Sequence, residues 1–379
     1  MPGMATVESP GLRVGSTPPQ SVASRLLSLD ALRGFTMICM IGEGFGLLYF
    51  QRNALIGPLA NQFRHADWNI SIPDGMHFWD LIQPFFMFVV GAVMPVSFAR
   101  RWAAGETWQR SLMHVLRRSA LLILFGLVAR SCQARRPVLD LINVLAQIAF
   151  TYLIAFLVLR KHWTVQAGVA FAMLAAHWAL YQFAQAPGVI GPWVKDGNIG
   201  WYLDGLVLHK HWSGSYATIN CISSAANTIF GVLAGELLTR DMRQGRKLQI
   251  LTAAGVCGVF VGILLGGAIP INKKIWTASF AIYSTGFTLL ALALFYWIFD
   301  VKQKRAWGTL FVIVGSNSIF IYLFHEILHR YLFSGAMFVM QAAVNWQPAV
   351  GRMFAAWLVI AVELLVCWML YRRRVFLRI

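Results

Sequence analysis

Two kinds of polar residue stand where lipid would reject them. One is a cluster, Arg64-His65-Ala66-Asp67-Trp68-Asn69, followed by His77-Phe78-Trp79-Asp80 at the mouth of the apolar run Leu81-Ile82-Gln83-Pro84-Phe85-Phe86. The others are single ionisable residues near the ends of apolar runs: Glu43, Asp140, His325 and Glu326. A carboxylate beside a histidine can orient the ring and raise its basicity, which makes a usable general base. Such a histidine could also act as a nucleophile and carry a group covalently. An ionisable group within a span costs a few kcal/mol and usually marks function or a buried partner. Glu43, Asp80, Asp140, His325 and Glu326 share one expected depth, near one surface of the membrane, with His65 in the loop just above. Each could instead pair separately with an arginine or cap a helix.

The elements that must position these groups are membrane helices. The chain has 379 residues, of which 58% are hydrophobic and only 12% charged, and its mean hydropathy is +0.62. A soluble protein of this size carries about twice that charge fraction. Apolar runs of roughly 20 residues, each long enough to cross a bilayer, recur along the whole length. They are continuous rather than alternating, which argues against a β-barrel. The expected fold is an all-α, polytopic helical bundle of about ten transmembrane helices. The expected spans are 29–50, 78–99, 111–129, 138–159, 163–183, 216–238, 248–269, 275–297, 308–329 and 350–371. Residues 25–379 read as one transmembrane domain. Residues 1–24 are rich in Pro, Gly, Ser and Thr, lack the apolar core of a signal peptide, and read as a disordered tail.

Charge sets the expected orientation. With the N-terminus in the cytoplasm, 18 of the 32 Lys and Arg residues fall in cytoplasmic segments and both termini lie inside. One connector disagrees, since Arg130, Arg135 and Arg136 come out external. The net charge of +17 is then a topology signal, and nucleic acid is not an expected partner. The three long connectors, 51–77, 184–215 and 330–349, all land outside. Their Trp68, Trp193, Trp201, Trp212 and Trp346, mixed with short polar residues, suit either a sugar surface or an aromatic belt at the lipid interface. The five cysteines have no metal-ligand spacing, and no metal is expected.

Several stretches, in order, resemble one family. They are Leu29-Asp30-Ala31-Leu32-Arg33-Gly34-Phe35, His65-Ala66-Asp67-Trp68-Asn69, Trp79-Asp80-Leu81-Ile82-Gln83-Pro84, Pro270-Ile271-Asn272-Lys273-Lys274-Ile275-Trp276-Thr277, Gly315-Ser316-Asn317-Ser318 and Tyr371-Arg372-Arg373-Arg374. Together they resemble the heparan-α-glucosaminide N-acetyltransferase family and its bacterial glucosamine N-acetyltransferase relatives. The resemblance runs from about Arg25 to the C-terminus. It departs from the family's pattern at Ile70-Ser71-Ile72-Pro73-Asp74, which reads as an insertion. It departs again at Ala146-Gln147-Ile148, where an arginine is missing, and around Glu43-Gly44.

The resemblance implies an acetyl-CoA-dependent acyltransferase in a bacterial inner (plasma) membrane. Acetyl-CoA from the cytosol is the implied co-substrate, and the amino group of a glucosamine-type sugar or glycan on the far side is the acceptor. It also implies His65 as the catalytic histidine, and it suggests a homodimer. Asp80 is the expected orienting carboxylate. Trp68, Asn69, Glu43, Asn317, His325 and Glu326 are candidates for the acceptor side. The donor's phosphates need cations, for which Arg33, Arg117 and Arg118 and the outer Lys273 and Lys274 are candidates. No glycine-rich phosphate loop is visible. Two other readings stay open. One is a small-solute transporter whose site would hold Glu363 and Asn317, and the other an O-acyltransferase of envelope polysaccharide.

Overall fold

The computed structural model describes residues 26–68, 76–209, 216–343 and 348–377. The expected tail, and with it Asn69, Asp74, Lys210, Trp212 and Trp346, lies outside the described residues. Among the described residues there is no strand. The α-helices are α1 Leu27–Ile41, α2 Gly57–Asn61, α3 Ile82–Ala103, α4 Trp108–Ala134, α5 Val144–Val158, α6 Trp163–Phe183 and α7 Ile199–Leu208. They continue with α8 Cys221–Thr239, α9 Gln244–Gly266, α10 Ala278–Tyr296, α11 Thr309–Ser316, α12 Ser318–Ala343 and α13 Pro348–Arg372.

Among the described residues, seven helices are long and apolar enough to cross a membrane, or nine if each of two bent pairs is one span. Ten were expected. The difference is the expected span 138–159, which forms a helix of only 15 residues, α5. Its start is set by Asn143, whose side-chain oxygen accepts from Ala146 N at 2.9 Å. Residues 138–143 are spent on a polar turn around the buried Asp140.

The bent pairs are α1 with Glu43–Phe50, at 43°, and the stretch Arg305–Ser316 with Ser318–Gln341, at 66°. At the first bend the backbone turns left-handed from Glu43 to Gly46, at φ 38°, 76°, 53° and 72°, a region that the glycines at 44 and 46 enter without a Cβ clash. The second falls at Asn317, whose side chain bonds backbone outside its own helix. Its Nδ2 donates to Val375 O at 3.0 Å and its Oδ1 accepts from Leu377 N at 3.0 Å.

α3 runs through the middle of the bundle and packs closely on α8. A Cβ at Gly91 would sit 1.9 Å from the Thr228 carbonyl oxygen, and one at Gly231 would sit 2.0 Å from that of Phe88. Close backbone approach is how helices associate where lipid removes the hydrophobic drive between them. Arg33 near the start of α1 and Arg372 at the end of α13 line the same cavity, so both described chain ends share one end of the bundle. That end is called the termini end here, and the other, where the connectors around His65 and Lys273 lie, the loop end.

Candidate functional site

At the loop end, His65 Nδ1 lies 2.6 Å from Asp80 Oδ1. Asp80 is 2% exposed and is held by several donors at once. Its Oδ2 accepts from Ala66 N and His77 N, each at 3.1 Å. Lys273 Nζ lies 3.8 Å from its Oδ1 and 3.5 Å from His65 Nδ1. A carboxylate with this many donors stays ionised. It therefore takes the Nδ1 proton of His65 as a hydrogen bond, and the lone pair is left on Nε2. Among the described residues no protein group bonds that nitrogen. Burial holds the His65 imidazole below the ordinary histidine range, with the Asp80 carboxylate opposing the shift and the Lys273 ammonium adding to it. The Lys273 ammonium is itself pushed down to about 8 by burial, against the pull of Asp80.

Local sequence explains why these three meet. His77 N-caps the helical turn Phe78–Leu81, and its reciprocal bond with Asp80 fixes the carboxylate at the third position of that turn. The chain carrying His65 is tied to the same turn from below. Trp79 N donates to Gln62 O at 2.9 Å, and His77 Nδ1 lies 3.1 Å from Arg64 O. Lys273 comes from the Pro270–Thr277 connector, which has its own frame. Asn272 Oδ1 accepts from Lys274 N and Ile275 N, at 2.8 and 3.1 Å, while Thr277 caps α10. The wholly buried Trp276 donates Nε1–H to Asn227 Oδ1 at 2.8 Å. A buried lysine is costly without partners, and this frame together with Asp80 is what keeps it there.

Two cavities meet beneath the dyad. The smaller, about 190 Å³, is lined by His65, Lys273, Trp79, Gln83 and Glu326 among apolar side chains. The larger, about 940 Å³, opens at the termini end. Arg33, Arg100, Arg101, Arg118, Arg372 and Arg374 all line it, and among the described residues no acidic side chain does. Phe86, Leu145, Ile148, Ser318 and Ile319 line both. One helix face links them: Gln83, Phe86, Val90, Val93, Ser97 and Arg100 lie three or four residues apart along α3. From Gln83 to Arg101 that face covers about 27 Å at a rise of about 1.5 Å per residue, close to the ~30 Å of a hydrocarbon core. Across the larger cavity, Arg118 lies over the Tyr152 ring, 4.6 Å from its centroid, and donates to the phenol oxygen at 3.3 Å.

The structure does not gather the expected constellation into one site. His65 and Asp80 pair, and Glu326 lines the smaller cavity while its carboxylate accepts from Gln133, which does not line it. Asp140 pairs instead with Arg130, whose Nε lies 3.0 Å from Oδ2. Arg130 thus lies within α4 and is paired, which leaves Arg135 and Arg136 as the arginines that break the expected charge pattern. Glu43 and His325 form a separate group with His329 and Glu363, in which His325 Nε2 lies 3.2 Å from Glu43 Oε1. Trp68 lines neither cavity; its Nε1–H donates to Trp193 O at 3.2 Å in an apolar cluster with Tyr181 and Ile275. Asn317 is occupied by the C-terminal backbone, and Lys274 lines neither cavity. Arg33 and Arg118 line the larger one, whereas Arg117 does not. Asn69 lies outside the described residues.

Two residues here have roles that sequence reasoning alone does not give. Lys273 is a candidate only for the donor's phosphates, and the fold instead turns it inward against His65 and Asp80. His329 completes the spacing His325-Glu326-Ile327-Leu328-His329, a legible signal that stands inside an apolar helix.

The sequence itself has relatives. A family model described as a domain of unknown function (DUF5009) matches residues 25–186. Heparan-alpha-glucosaminide N-acetyltransferase of Mus musculus is 25% identical over 380 residues, covering 82% of this chain and 55% of that protein. Its Homo sapiens counterpart is 24% identical over 437 residues, covering 97% of this chain and 61% of that protein. The chain thus spans about 55 to 61% of the length of these curated relatives. The ordered motifs and the two relatives agree on a distant relationship to heparan-alpha-glucosaminide N-acetyltransferase.

Proposed function

We propose that the protein is a membrane-embedded acetyltransferase, with acetyl-CoA as donor and the amine of a glucosamine-type sugar as acceptor. One observation carries the reading: a cavity walled by arginines adjoins, through apolar side chains, a smaller cavity that ends at a histidine–aspartate pair. The donor has the same layout. Its phosphates need cations, for which guanidinium groups are well shaped, and its pantetheine arm is slender and mostly uncharged. The termini end is then the cytosolic face, and the loop end faces the acceptor.

In this reading the nucleotide rests among Arg33, Arg118 and their neighbours, and the thioester reaches the smaller cavity. The sugar amine approaches from the loop end. His65 Nε2 removes a proton as the amine nitrogen attacks the thioester carbonyl. The Lys273 ammonium lies beside the reacting groups and offsets negative charge on the carbonyl oxygen in a site shielded from water. The C–S bond then breaks, the His65 proton passes to the sulfur, and an amide and free CoA result. Asp80 holds the ring in the required tautomer throughout. A transporter reading loses support because Asn317 is bound to the C-terminal backbone and Glu363 to His325.

Purified protein in detergent with acetyl-CoA and glucosamine tests this directly. His65→Ala should lower amide formation by about 10²-fold or more, the scale of general-base catalysis, while still binding CoA. Arg118→Ala should raise the KM for acetyl-CoA with less effect on kcat. A His65→Ala protein at full rate removes the assignment.

A further inference from the structure

We propose that Glu43, His325 and His329 form a binding site for a divalent transition-metal ion of the zinc type, separate from His65 and independent of the acetyltransferase reading. His325 and His329 lie one turn apart on α12, and Glu43 comes from the bend after α1. His325 Nε2 is 3.2 Å from Glu43 Oε1, and His329 Nε2 is 3.1 Å from Glu43 Oε2. One ligand atom from each residue lies within 4.8 Å of the other two. Bonds of about 2.0–2.2 Å in a tetrahedral shell separate ligand atoms by roughly 3.2–3.6 Å, so only small shifts would bring the three onto one ion. Two imidazoles and a carboxylate suit zinc and its neighbours far better than calcium or magnesium, which favour oxygen.

The surroundings support a cation. Glu363 on α13 is fully buried, and its Oε1 lies 3.0 Å from His325 Nδ1. A carboxylate on the far nitrogen is the arrangement that orients a metal-binding imidazole. The other oxygen, Oε2, is buried and has no hydrogen-bond partner among the described residues. The ion pairs of Glu43 and Glu363 are all with histidines, none with lysine or arginine, among the described residues. Two carboxylates against a divalent ion balance charge with both imidazoles neutral. Glu43 is half exposed and Glu363 fully buried, so the ion would chiefly offset the buried charge of Glu363.

The H-E-x-x-H spacing at 325–329 commonly puts two histidines on zinc and uses the intervening glutamate as base. Here Glu326 points instead to Gln133 and the smaller cavity, and the third ligand comes from Glu43. The ion therefore clamps the α1 bend to α12, and through Glu363 to α13, rather than activating water with Glu326.

The test uses the full chain purified in detergent, with added metal and no acetyl-transfer assay. Dialysis against zinc followed by elemental analysis should find about one zinc per chain. Cobalt-loaded wild type should show the intense visible bands of a low-coordinate nitrogen-ligated ion. His329→Ala and Glu43→Gln should lose the metal, while His65→Ala and Glu326→Gln should keep it. Glu363→Gln should weaken affinity about 10–100-fold. Wild-type protein that takes up no zinc and shows only the faint spectrum of hydrated cobalt overturns the site, whatever the variants do. Equal zinc uptake by His329→Ala and Glu43→Gln overturns it as well.

Discussion

At the scale of single residues, the claim is that His65 acts as a neutral imidazole whose basicity two neighbours set in opposite directions. Burial depresses its pKa first, Asp80 raises it, and Lys273 lowers it again. The acid limb of kcat/KM should therefore fall below the ordinary value of about 6.5. Asp80→Asn removes an influence that raises the pKa, so the limb should move to lower pH, with a large loss of rate because the tautomer is no longer held. Lys273→Met removes a cation that lowers it, so the limb should move to higher pH. The alkaline side reports Lys273 itself. With a pKa pushed down to about 8, its charge is lost as pH rises through that value, and activity should fall there. Lys273→Arg keeps the charge and should push the alkaline limb upward. Rate profiles from pH 4 to 10 for the four proteins check all of this. Limbs that stay fixed in every variant would show that neither group titrates in the rate-limiting step.

At the scale of elements, α3 and the broken pair α11–α12 make the passage. α3 offers one face that begins beside Asp80 and ends at Arg100 and Arg101. The break at Asn317 places Ser316 in the wall of the larger cavity and Ser318 and Ile319 where the two cavities meet. An unbroken helix would carry its i to i−4 backbone bonds straight through this point. Here the C-terminal backbone at Val375 and Leu377 takes up the Asn317 side chain, which makes the tail part of the cavity wall. Ile319→Trp tests the passage without touching the dyad or the arginines. The indole should fill the neck, so that a CoA fragment lacking the pantetheine arm binds as in wild type while acetyl transfer drops about 10²-fold or more. Isothermal titration with adenosine 3′,5′-bisphosphate beside a transfer assay reads both. Undiminished transfer would mean that the donor does not pass this neck.

At the scale of the whole molecule, much is legible in the sequence, and what is not has a physical reason. Composition and run length give an all-helical bundle, because hydrocarbon admits few alternatives. The count of spans is less legible: α5 is too short, and two spans are bent where glycine and asparagine redirect the backbone. His65 and Asp80 are readable as a pair because His65 lies in the connector that leads into the span Asp80 opens. Splitting the other ionisable residues into Arg130–Asp140 and the Glu43–His325–His329–Glu363 group is not, because depth along a helix says nothing of which faces meet. The proposed function rests on sidedness. The arginine-walled cavity opens at the end that holds both described chain ends, and the dyad lies at the other. On the proposed function, a polyanionic donor and a polar sugar would never need to share a compartment. Proteoliposomes sorted for one orientation test this, with acetyl-CoA on one side only and glucosamine on the other. Product should form when acetyl-CoA is on the side of the chain ends and the sugar opposite, and should fall to background when the two are exchanged. Equal rates in both arrangements would mean that donor and acceptor enter by the same mouth, and the two-ended passage would have to be abandoned.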